Sequence, residues 1–233
     1  MGIFEKQITV TGFECDVKGC MKYSALLRQA QQIGREHNDA IGLTMDIHEK
    51  THTAFLINDL KATMYHQLHP NDTVTLRTQP FAPHRVSFYR KTEFWKNGIL
   101  CGVIDTNWIM IDTLERKILR DYDDRLTSFF PPEECLPPKH KIKKLPVSPA
   151  GVFLASYSFI DQNKHLNNAE YADLVCNCTP MEQPVSSLLI RYHRECRYRE
   201  SMSLFAGSQQ QLWYVIGQKS EGQKCFEANL WFA

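Results

Sequence analysis

Hydrophobic and polar residues alternate regularly along most of the 233-residue chain and predict a mixture of strands and helices. Residues 4–10 alternate as in a half-buried strand. A helix is predicted from about Ser24, because one stripe of side chains recurs at steps of three or four positions until Gly42 interrupts it. The members of that stripe are Leu26, Ala30, Ile33, His37 and Ile41.

The other periodic segments are typical of strands separated by turn residues. In the first part of the chain the predicted strands cover residues 53–60, 73–78, 86–96, 99–111 and 117–121. In the last part a strand at 152–159 precedes a helix that ends before Pro180. The strands predicted after it cover residues 185–196, 201–208, 211–219 and 225–232. Strands joined by short turns, with few helices, indicate an α+β fold built on antiparallel sheets.

A proline-rich segment divides the chain. Residues 131–150 hold six of the eleven prolines and the basic run Lys139–Lys144. Proline fixes φ and lacks a backbone donor, so this composition excludes a helix or a central strand and is typical of an extended linker. We therefore predict an N-terminal domain at residues 1–130, a linker at 131–150 and a C-terminal domain at 151–233.

The two predicted domains repeat one plan, a helix followed by several strands. Short matching segments support the repeat at low identity. They pair Asp16 with Asp161, residues 72–76 with residues 200–204, Gly98 with Gly222, and Cys101 with Cys225. A helix followed by an antiparallel sheet, repeated once, predicts two sheets that each wrap around a central helix.

Polar residues between positions 161 and 168 form the strongest candidate site. Asp161, Asn163 and His165 occupy every second position, so in an extended loop their side chains project to one side. Asn167 is placed to cap a following helix, with Glu170 three positions on as in a capping box. Free backbone N–H groups at a helix start can hold negative charge. The arrangement therefore indicates acyl-transfer or hydrolytic chemistry.

Only the second copy of the repeat keeps this polar set. Lys18 and Cys20 occupy the places that Asn163 and His165 hold in the second copy. We therefore expect one active site per chain, in the C-terminal domain.

Composition excludes several other classes of function. The net charge is +1, which gives no general reason to expect binding to nucleic acid or to a membrane surface. No apolar run approaches the ~20 residues of a bilayer span, and the N-terminus has no signal-peptide pattern, so we expect a cytoplasmic protein. The eight cysteines contain no Cys-x-x-Cys pair, which favours reduced thiols. Neither a cofactor nor a metal is expected.

One zinc motif needs separate treatment. The segment His48-Glu49-x-x-His52 matches the zinc-hydrolase pattern, which places both imidazoles on one face of a helix. Threonines surround this segment and a predicted strand follows it, so we interpret it as a solvated loop.

Together, these residues resemble the acyl-[acyl carrier protein] thioesterases over nearly the whole chain. Residues 161–171, Asp-x-Asn-x-His-x-Asn-Asn-x-x-Tyr, are similar to the catalytic loop of that family. Residues 194–196, Arg-Glu-Cys, resemble the element that completes the site from a neighbouring strand. Residues 108–111 resemble the end of the first domain of the family. The combination of loop and Arg-Glu-Cys element is more specific than either piece alone.

The resemblance implies two tandem hot-dog domains, of which the N-terminal one lines an acyl tunnel. It also implies hydrolysis of a fatty acyl chain held on the phosphopantetheine of acyl carrier protein, with Asn167 and Asn168 supporting the site. The fused pair already supplies a hot-dog dimer, so a monomer or a homodimer is expected. The acidic carrier protein is expected to meet one of two basic sets. These are the run Lys139–Lys144 and the arginines Arg191, Arg194, Arg197 and Arg199.

Two mechanisms fit the resemblance. Cys196 could act as a nucleophile with His165 and Asn163, or Glu195 could activate water with Asp161 and His165. Along the predicted strand the even positions are mostly apolar and the odd positions polar. Unless a bulge intervenes, neighbouring positions point to opposite faces, and Cys196 falls with the apolar series. We therefore predict Glu195 as the partner of His165 and keep Cys196 as the alternative.

Other functions stay open from the sequence. An acyl-coenzyme A thioesterase or another hot-dog thioester enzyme, such as a dehydratase, would share the fold. A dehydratase is expected to use a simpler pair of histidine and carboxylate. A non-catalytic acyl-binding module is a third possibility, and the intact polar set disfavours it.

Overall fold

The computed structural model describes residues 2–121, 124–131, 135–180 and 183–233. Two compact units can be separated in it. The first unit contains Met1–Met21, Leu26–Asn58 and Tyr65–Lys139. The second contains Lys22–Ala25, Asp59–Met64 and His140–Ala233. None of the helices among the described residues is both long and apolar enough to cross a membrane.

The first unit is built on antiparallel strands. Its strands are β1 (Phe4–Thr9), β2 (Thr53–Met64), β3 (Thr73–Pro80), β4 (Ser87–Lys96), β5 (Ile99–Asp112) and β6 (Lys117–Ile118). They lie in the order β1-β3-β4-β5-β2, and β6 pairs with β5. The last residues of β2, from Asp59 onward, belong to the second unit. These strands match most of the segments predicted from alternation.

Helix α1 (Tyr23–Ala40) contacts this sheet through His37, whose ring stacks on Phe4 of β1. Leu26, Ala30 and Ile33 are buried, and Gly42 has a φ of +88°, which ends the helix as expected. Helix α2 (Met45–Thr51) follows and contains the first histidine of the zinc motif. A solvated loop was expected there, and that expectation is wrong. A short helix α3 (Asp124–Thr127) contributes to an apolar cluster, with Leu43, Phe88, Met110, Leu126 and Phe130 at its centre.

A buried arginine joins α1 to the sheet. Arg90, on β4, is 8% exposed and donates hydrogen bonds to His37 Nδ1 at 3.2 Å, Asn38 Oδ1 at 2.6 Å and Thr78 Oγ1 at 3.2 Å. Gly34 faces this side chain, and a Cβ there would lie 3.4 Å from Arg90 Cδ, at van der Waals contact. Burial and the Arg90 charge lower the pKa of His37 from 6.5 to about 4. His37 therefore accepts the arginine hydrogen bond as a neutral ring.

The second unit repeats the plan with β7 (Ser148–Leu154), β8 (Val185–Tyr192), β9 (Ser201–Gln209), β10 (Leu212–Gln218) and β11 (Lys224–Phe232). The strand order is β2-β8-β11-β10-β9-β7, and residues 59–63 of β2 pair with residues 187–191 of β8. Helix α4 (Glu170–Asn177) packs on this sheet. The contact is made by Tyr171, whose ring lies edge-on against Tyr192 of β8 and Phe226 of β11. The α+β class predicted from the sequence is confirmed.

Strand β7 starts earlier than predicted and stops at Leu154, after which residues 157–159 form a 3-10 turn. The preceding segment is held by one asparagine of β11. The Asn229 side chain accepts the Lys143 N–H at 2.6 Å and donates to the Lys143 carbonyl at 2.8 Å, as a neighbouring strand would. A second anchor is His140, which lies 2.8 Å from Asp59. Residues 140–143, which fall within the predicted linker, are thus fastened to the second unit.

Candidate active site

The predicted polar loop is a tight hydrogen-bonded turn. The Lys164 N–H donates to the Asp161 carbonyl at 2.9 Å, and the Asp161 N–H donates to the His165 carbonyl at 3.0 Å. Lys164 closes the turn in the left-handed region at a φ of +67°. The expectation of an extended loop is therefore wrong. Asp161 and His165 come together because they face each other across the base of the turn.

Glu195 reaches this turn from the segment after β8. The Leu166 N–H donates to the Cys196 carbonyl at 2.7 Å, and His165 forms an antiparallel bridge with Arg197. These contacts hold Glu195 beside the imidazole.

The imidazole of His165 lies between two carboxylates. Its Nδ1 is 3.8 Å from Asp161 Oδ1, and its Nε2 is 4.0 Å from Glu195 Oε1. Both distances exceed a direct hydrogen bond, which spans roughly 2.7–3.2 Å, and resting catalytic contacts are often longer than this. Each ring nitrogen thus has its own carboxylate, an arrangement suited to moving a proton through the ring.

Asn163 belongs to the same turn. Its N–H donates to Asp161 Oδ1 at 2.8 Å, and its Nδ2 lies 3.4 Å from Asp161 Oδ2. Asp161 therefore stabilises the turn as well as facing His165. The Asn163 side chain is exposed, and its amide carries a second N–H besides the one that faces Asp161.

The two asparagines that follow support the start of α4 differently from the prediction. Ala169, rather than Asn167, is the N-cap residue of α4. Asn167 Oδ1 accepts the Ala169 N–H at 2.9 Å, and the Asn167 carbonyl accepts the Glu170 N–H at 3.0 Å. The Asn168 carbonyl accepts the Tyr192 hydroxyl at 2.9 Å. Two of the N–H groups expected to hold negative charge are thus already used inside the chain.

Cys196 and Glu195 have opposite environments. The Cys196 side chain is buried at 0% exposure, whereas the Glu195 side chain is 46% exposed. Burial, with the neighbouring Cys225 thiol, raises the pKa of Cys196 from 9.0 to about 11. A thiol that stays protonated is a poor nucleophile. The environment therefore favours Glu195 over Cys196 as the partner of His165.

The alternation of faces along β8 does not extend to Glu195 and Cys196. Strand β8 ends at Tyr192, and the N–H groups of His193 and Arg194 both donate to the Cys225 carbonyl, at 2.8 and 3.1 Å. This shared acceptor is the hydrogen-bond pattern of a bulge, which interrupts the alternation of faces. Burial, rather than strand parity, distinguishes the two residues.

A pocket of about 700 Å³ opens beside the turn. Asp161, Gln162 and Lys164 form one wall. The other lining residues are Tyr157, Ser158, Ile160 and Tyr198. None of the pocket residues outside the turn was predicted as part of the site. The available signal was two tyrosines, Tyr157 and Tyr198, near the turn and near the Arg-Glu-Cys element.

A further neighbour not foreseen is Arg197. The Arg197 guanidinium lies 3.8 Å from Glu195 Oε2, and the backbone N–H of Arg197 donates to Glu200 Oε2 at 2.7 Å. Arg197 thus holds one oxygen of Glu195 while the other oxygen faces His165.

The zinc motif does not assemble a metal site in the part of the chain that the structure describes, which holds no group of three or more possible metal ligands. His48 lies on α2, but His52 caps that helix with a left-handed φ of +52° and so leaves its face. The His48 ring contacts Thr53 Oγ1 at 3.0 Å and packs edge-on against Phe55, and burial lowers its pKa.

Two family models match the chain. The model of the acyl-ACP thioesterase N-terminal domain matches residues 2–129, and that of the acyl-ACP thioesterase C-terminal domain matches residues 148–231. No protein of curated function matches the sequence by direct comparison.

Solved structures share the fold at low identity. An acyl-ACP thioesterase from Bacteroides thetaiotaomicron is 18% identical with a TM-score of 0.86, over 99% of this chain and 98% of that one. A 12:0-ACP thioesterase from Umbellularia californica is 16% identical with a TM-score of 0.85, over 99% and 94%. The predicted architecture of two tandem hot-dog domains is confirmed.

Proposed function

We propose that Glu195 and His165 activate the water molecule that hydrolyses the thioester substrate. The premise is that this chain belongs to the acyl-ACP thioesterase family. The protein is a thioesterase, and its reaction is the hydrolysis of fatty acyl-ACP. This agrees with the function predicted from the sequence. The roles of individual residues, described below, are our proposal.

In the proposed mechanism the Glu195–His165 pair accepts a proton from water as the water oxygen attacks the thioester carbonyl carbon. The carbonyl becomes an oxyanion, which the Asn163 carboxamide stabilises by donating a hydrogen bond. When the C–S bond breaks, the pair returns the proton to the sulfur, and the products are a free fatty acid and a thiol. Asp161 contacts the other ring nitrogen of His165 and holds the ring in orientation.

One observation carries this proposal: the His165 imidazole lies between the carboxylates of Asp161 and Glu195, while the adjacent thiol is buried. A water-activating site needs an accessible base near the imidazole, and Glu195 meets that requirement. A thiol-based site needs an accessible thiolate, and Cys196 does not.

A pair of variants tests the assignment. Glu195→Gln should lower kcat by about 10²–10⁴-fold, the usual contribution of a positioned acid or base. Cys196→Ala, the matched control one position away, should leave kcat within about three-fold, because it removes only a small buried side chain. Both would be assayed by thiol release from an acyl-ACP. Loss of activity in Cys196→Ala with retention in Glu195→Gln would reverse the assignment.

Thiol alkylation gives an independent check. With a pKa of about 11, roughly one Cys196 thiol in a thousand is ionised at pH 8, so alkylation of this residue should be slow and activity should persist. Rapid inactivation by a thiol reagent in the wild type but not in Cys196→Ala would contradict the water mechanism.

We extend the proposal to the domains and to the pathway. Residues 151–233 carry the chemistry, and residues 1–130 line the acyl chain, as expected for this family. Because hydrolysis frees the acyl chain from the carrier on which it is built, the step belongs at the end of fatty acid biosynthesis. Thiol release from acyl-ACP and acyl-coenzyme A substrates of graded length tests this extension, and faster turnover of every coenzyme A substrate would contradict it.

A further inference from the structure

The pocket beside the catalytic turn has mixed walls. Tyr157, which is 86% exposed, and Tyr198, which is 49% exposed, provide aromatic surface. Ser158 and Gln162 add hydrogen-bonding groups, and Lys164 adds a positive charge. Such a concave, largely apolar surface with a few polar groups is typical of a small-molecule site. Because Asp161 lines the same pocket, a ligand bound there lies next to the proposed catalytic group.

Two basic residues at this pocket adopt the left-handed backbone conformation, which is unfavourable for residues with a Cβ. Lys164 has a φ of +67° and Arg199 a φ of +66°, both in the left-handed region. The Arg199 guanidinium lies over the ring of Tyr198 at 5.1 Å, at the pocket wall. Non-glycine residues adopt this conformation uncommonly, and it costs backbone strain.

The first unit contains the same two turns without the proposed catalytic residues, so it shows which residues occupy these positions there. Its corresponding positions are Gly19, with a φ of +72°, and Asn71, with a φ of +70°. Glycine and asparagine are the two residues that tolerate the left-handed region best. Only the unit that carries the proposed catalytic set replaces both of them with cations.

We propose that this pocket receives the phosphopantetheine arm of the thioester substrate and that Lys164 and Arg199 bind its phosphate. The inference rests on the proposed function, because it presumes that the thioester reacts at Asp161, His165 and Glu195. The arm must run from the reacting sulfur to solvent, where its carrier lies. The open pocket is lined by Asp161 and by the exposed Lys164. Arg199 lies over the ring of Tyr198 at the pocket wall. The pocket therefore offers the arm such a path.

The chemistry of the arm matches the walls of the pocket. Its two amides suit the hydroxyl of Ser158 and the carboxamide of Gln162. Its gem-dimethyl group suits the rings of Tyr157 and Tyr198, and its phosphate suits the cations. An acyl chain is a poorer occupant, because it would leave Lys164 and Gln162 facing hydrocarbon.

The test compares three variants with one control. Lys164→Gly, Arg199→Gly and the double variant each remove a cation at a position where glycine fits the backbone. Arg116→Gly is the matched control, since Arg116 is an exposed cation in the first unit with a φ of +55°. All four retain the proposed catalytic residues.

Each protein would be assayed with one acyl group on four carriers: pantetheine, 4′-phosphopantetheine, coenzyme A and holo-acyl carrier protein. We expect the double variant to raise KM about ten-fold for the three phosphate-bearing substrates, equivalent to about 1.4 kcal/mol. Its KM for the pantetheine thioester and its kcat for every substrate should not change. Arg116→Gly should match the wild type throughout.

Three outcomes would overturn the inference. KM unchanged for all substrates would show that the cations bind no phosphate. An equal rise with and without phosphate would indicate a general distortion of the site. A rise confined to the carrier protein would assign the cations to the carrier surface instead of the arm. Failure of the proposed function would give a different result from failure of this inference. In that case the Glu195→Gln variant would still hydrolyse the pantetheine thioester.

Discussion

Residues 16–20 of the first unit and residues 161–165 of the second form the same turn. In both, the aspartate accepts with its side chain a hydrogen bond from the backbone N–H two positions on, that of Lys18 at 2.9 Å or of Asn163 at 2.8 Å. In both, its N–H donates to the carbonyl of the fifth residue, which is Cys20 or His165. The backbone of this turn therefore depends on the aspartate that both units share and not on Asn163 or His165.

The segment that completes the site is also repeated. The Met21 N–H donates to the Leu68 carbonyl at 2.8 Å, as the Leu166 N–H does to the Cys196 carbonyl. Position 196 thus corresponds to a buried leucine, and position 195 corresponds to Gln67. The comparison shows that Cys196 and its counterpart Leu68 are both core residues. What distinguishes the second unit is a carboxylate at 195 and an imidazole at 165.

Exchanging the imidazole for its counterpart should give the largest effect. His165→Cys places the first unit's residue in the second turn and should lower kcat by about 10³-fold or more, because no other group at the turn relays the proton. Activity would be measured by thiol release, and the melting temperature would report the fold. Cys20→His, the reverse exchange in the first unit, should leave kcat unchanged. A small effect of His165→Cys would remove the functional distinction between the turns.

Acid should destabilise the first unit through His37. Its pKa is about 4 in the folded protein and near 6.5 when unfolded, so between these values only the unfolded chain binds the proton. Stability should therefore fall as the pH drops from about 6.5 to 4, by about 2–3 kcal/mol. Urea unfolding at several pH values measures this, and His37→Gln, which keeps an acceptor for Arg90, should flatten the dependence. A dependence unchanged in the variant would exclude His37 as its source.

The smallest expected effect is on stability, and it comes from backbone strain at the left-handed position of each turn. Lys164→Gly should stabilise the protein by about 1 kcal/mol, since glycine adopts the left-handed conformation without a Cβ clash. Gly19→Ala should destabilise it by a similar amount, because open space surrounds the new methyl group and only the backbone resists. Urea midpoints of the two variants provide the comparison. Equal shifts in one direction would refute the strain argument.

Much of this fold follows from the sequence because buried strands and helix α1 carry a clear period. The stripe from Leu26 to Ile33 is buried as predicted, and the end of α1 near Gly42 follows from local chemistry. The proximity of Asp161, His165 and Glu195 also agrees with the resemblance. The reason for that proximity, a closed turn rather than an extended loop, depended on hydrogen bonds that spacing does not reveal.

Other features depended on contacts distant in sequence. Helix α2 lacks a strong apolar stripe of its own, and it is supported by the cluster around Leu43 and Phe88, so its periodicity was too weak to predict it. The bulge at His193 and Arg194 depends on the Cys225 carbonyl of another strand. The pocket depends on turns near residues 157 and 198 that are far apart in the chain.

The hydrogen bonds between Asn229 and the Lys143 backbone have a consequence for proteolysis. The basic run Lys139–Lys144 offers trypsin several cleavage sites, and its lysine side chains at 139, 141, 143 and 144 are exposed. A protease must pull the backbone into its own active site, and the Asn229 amide holds both backbone groups of Lys143. Cleavage after Lys143 therefore requires that β11 first release this backbone, although the composition of the segment predicts an easily cut connector.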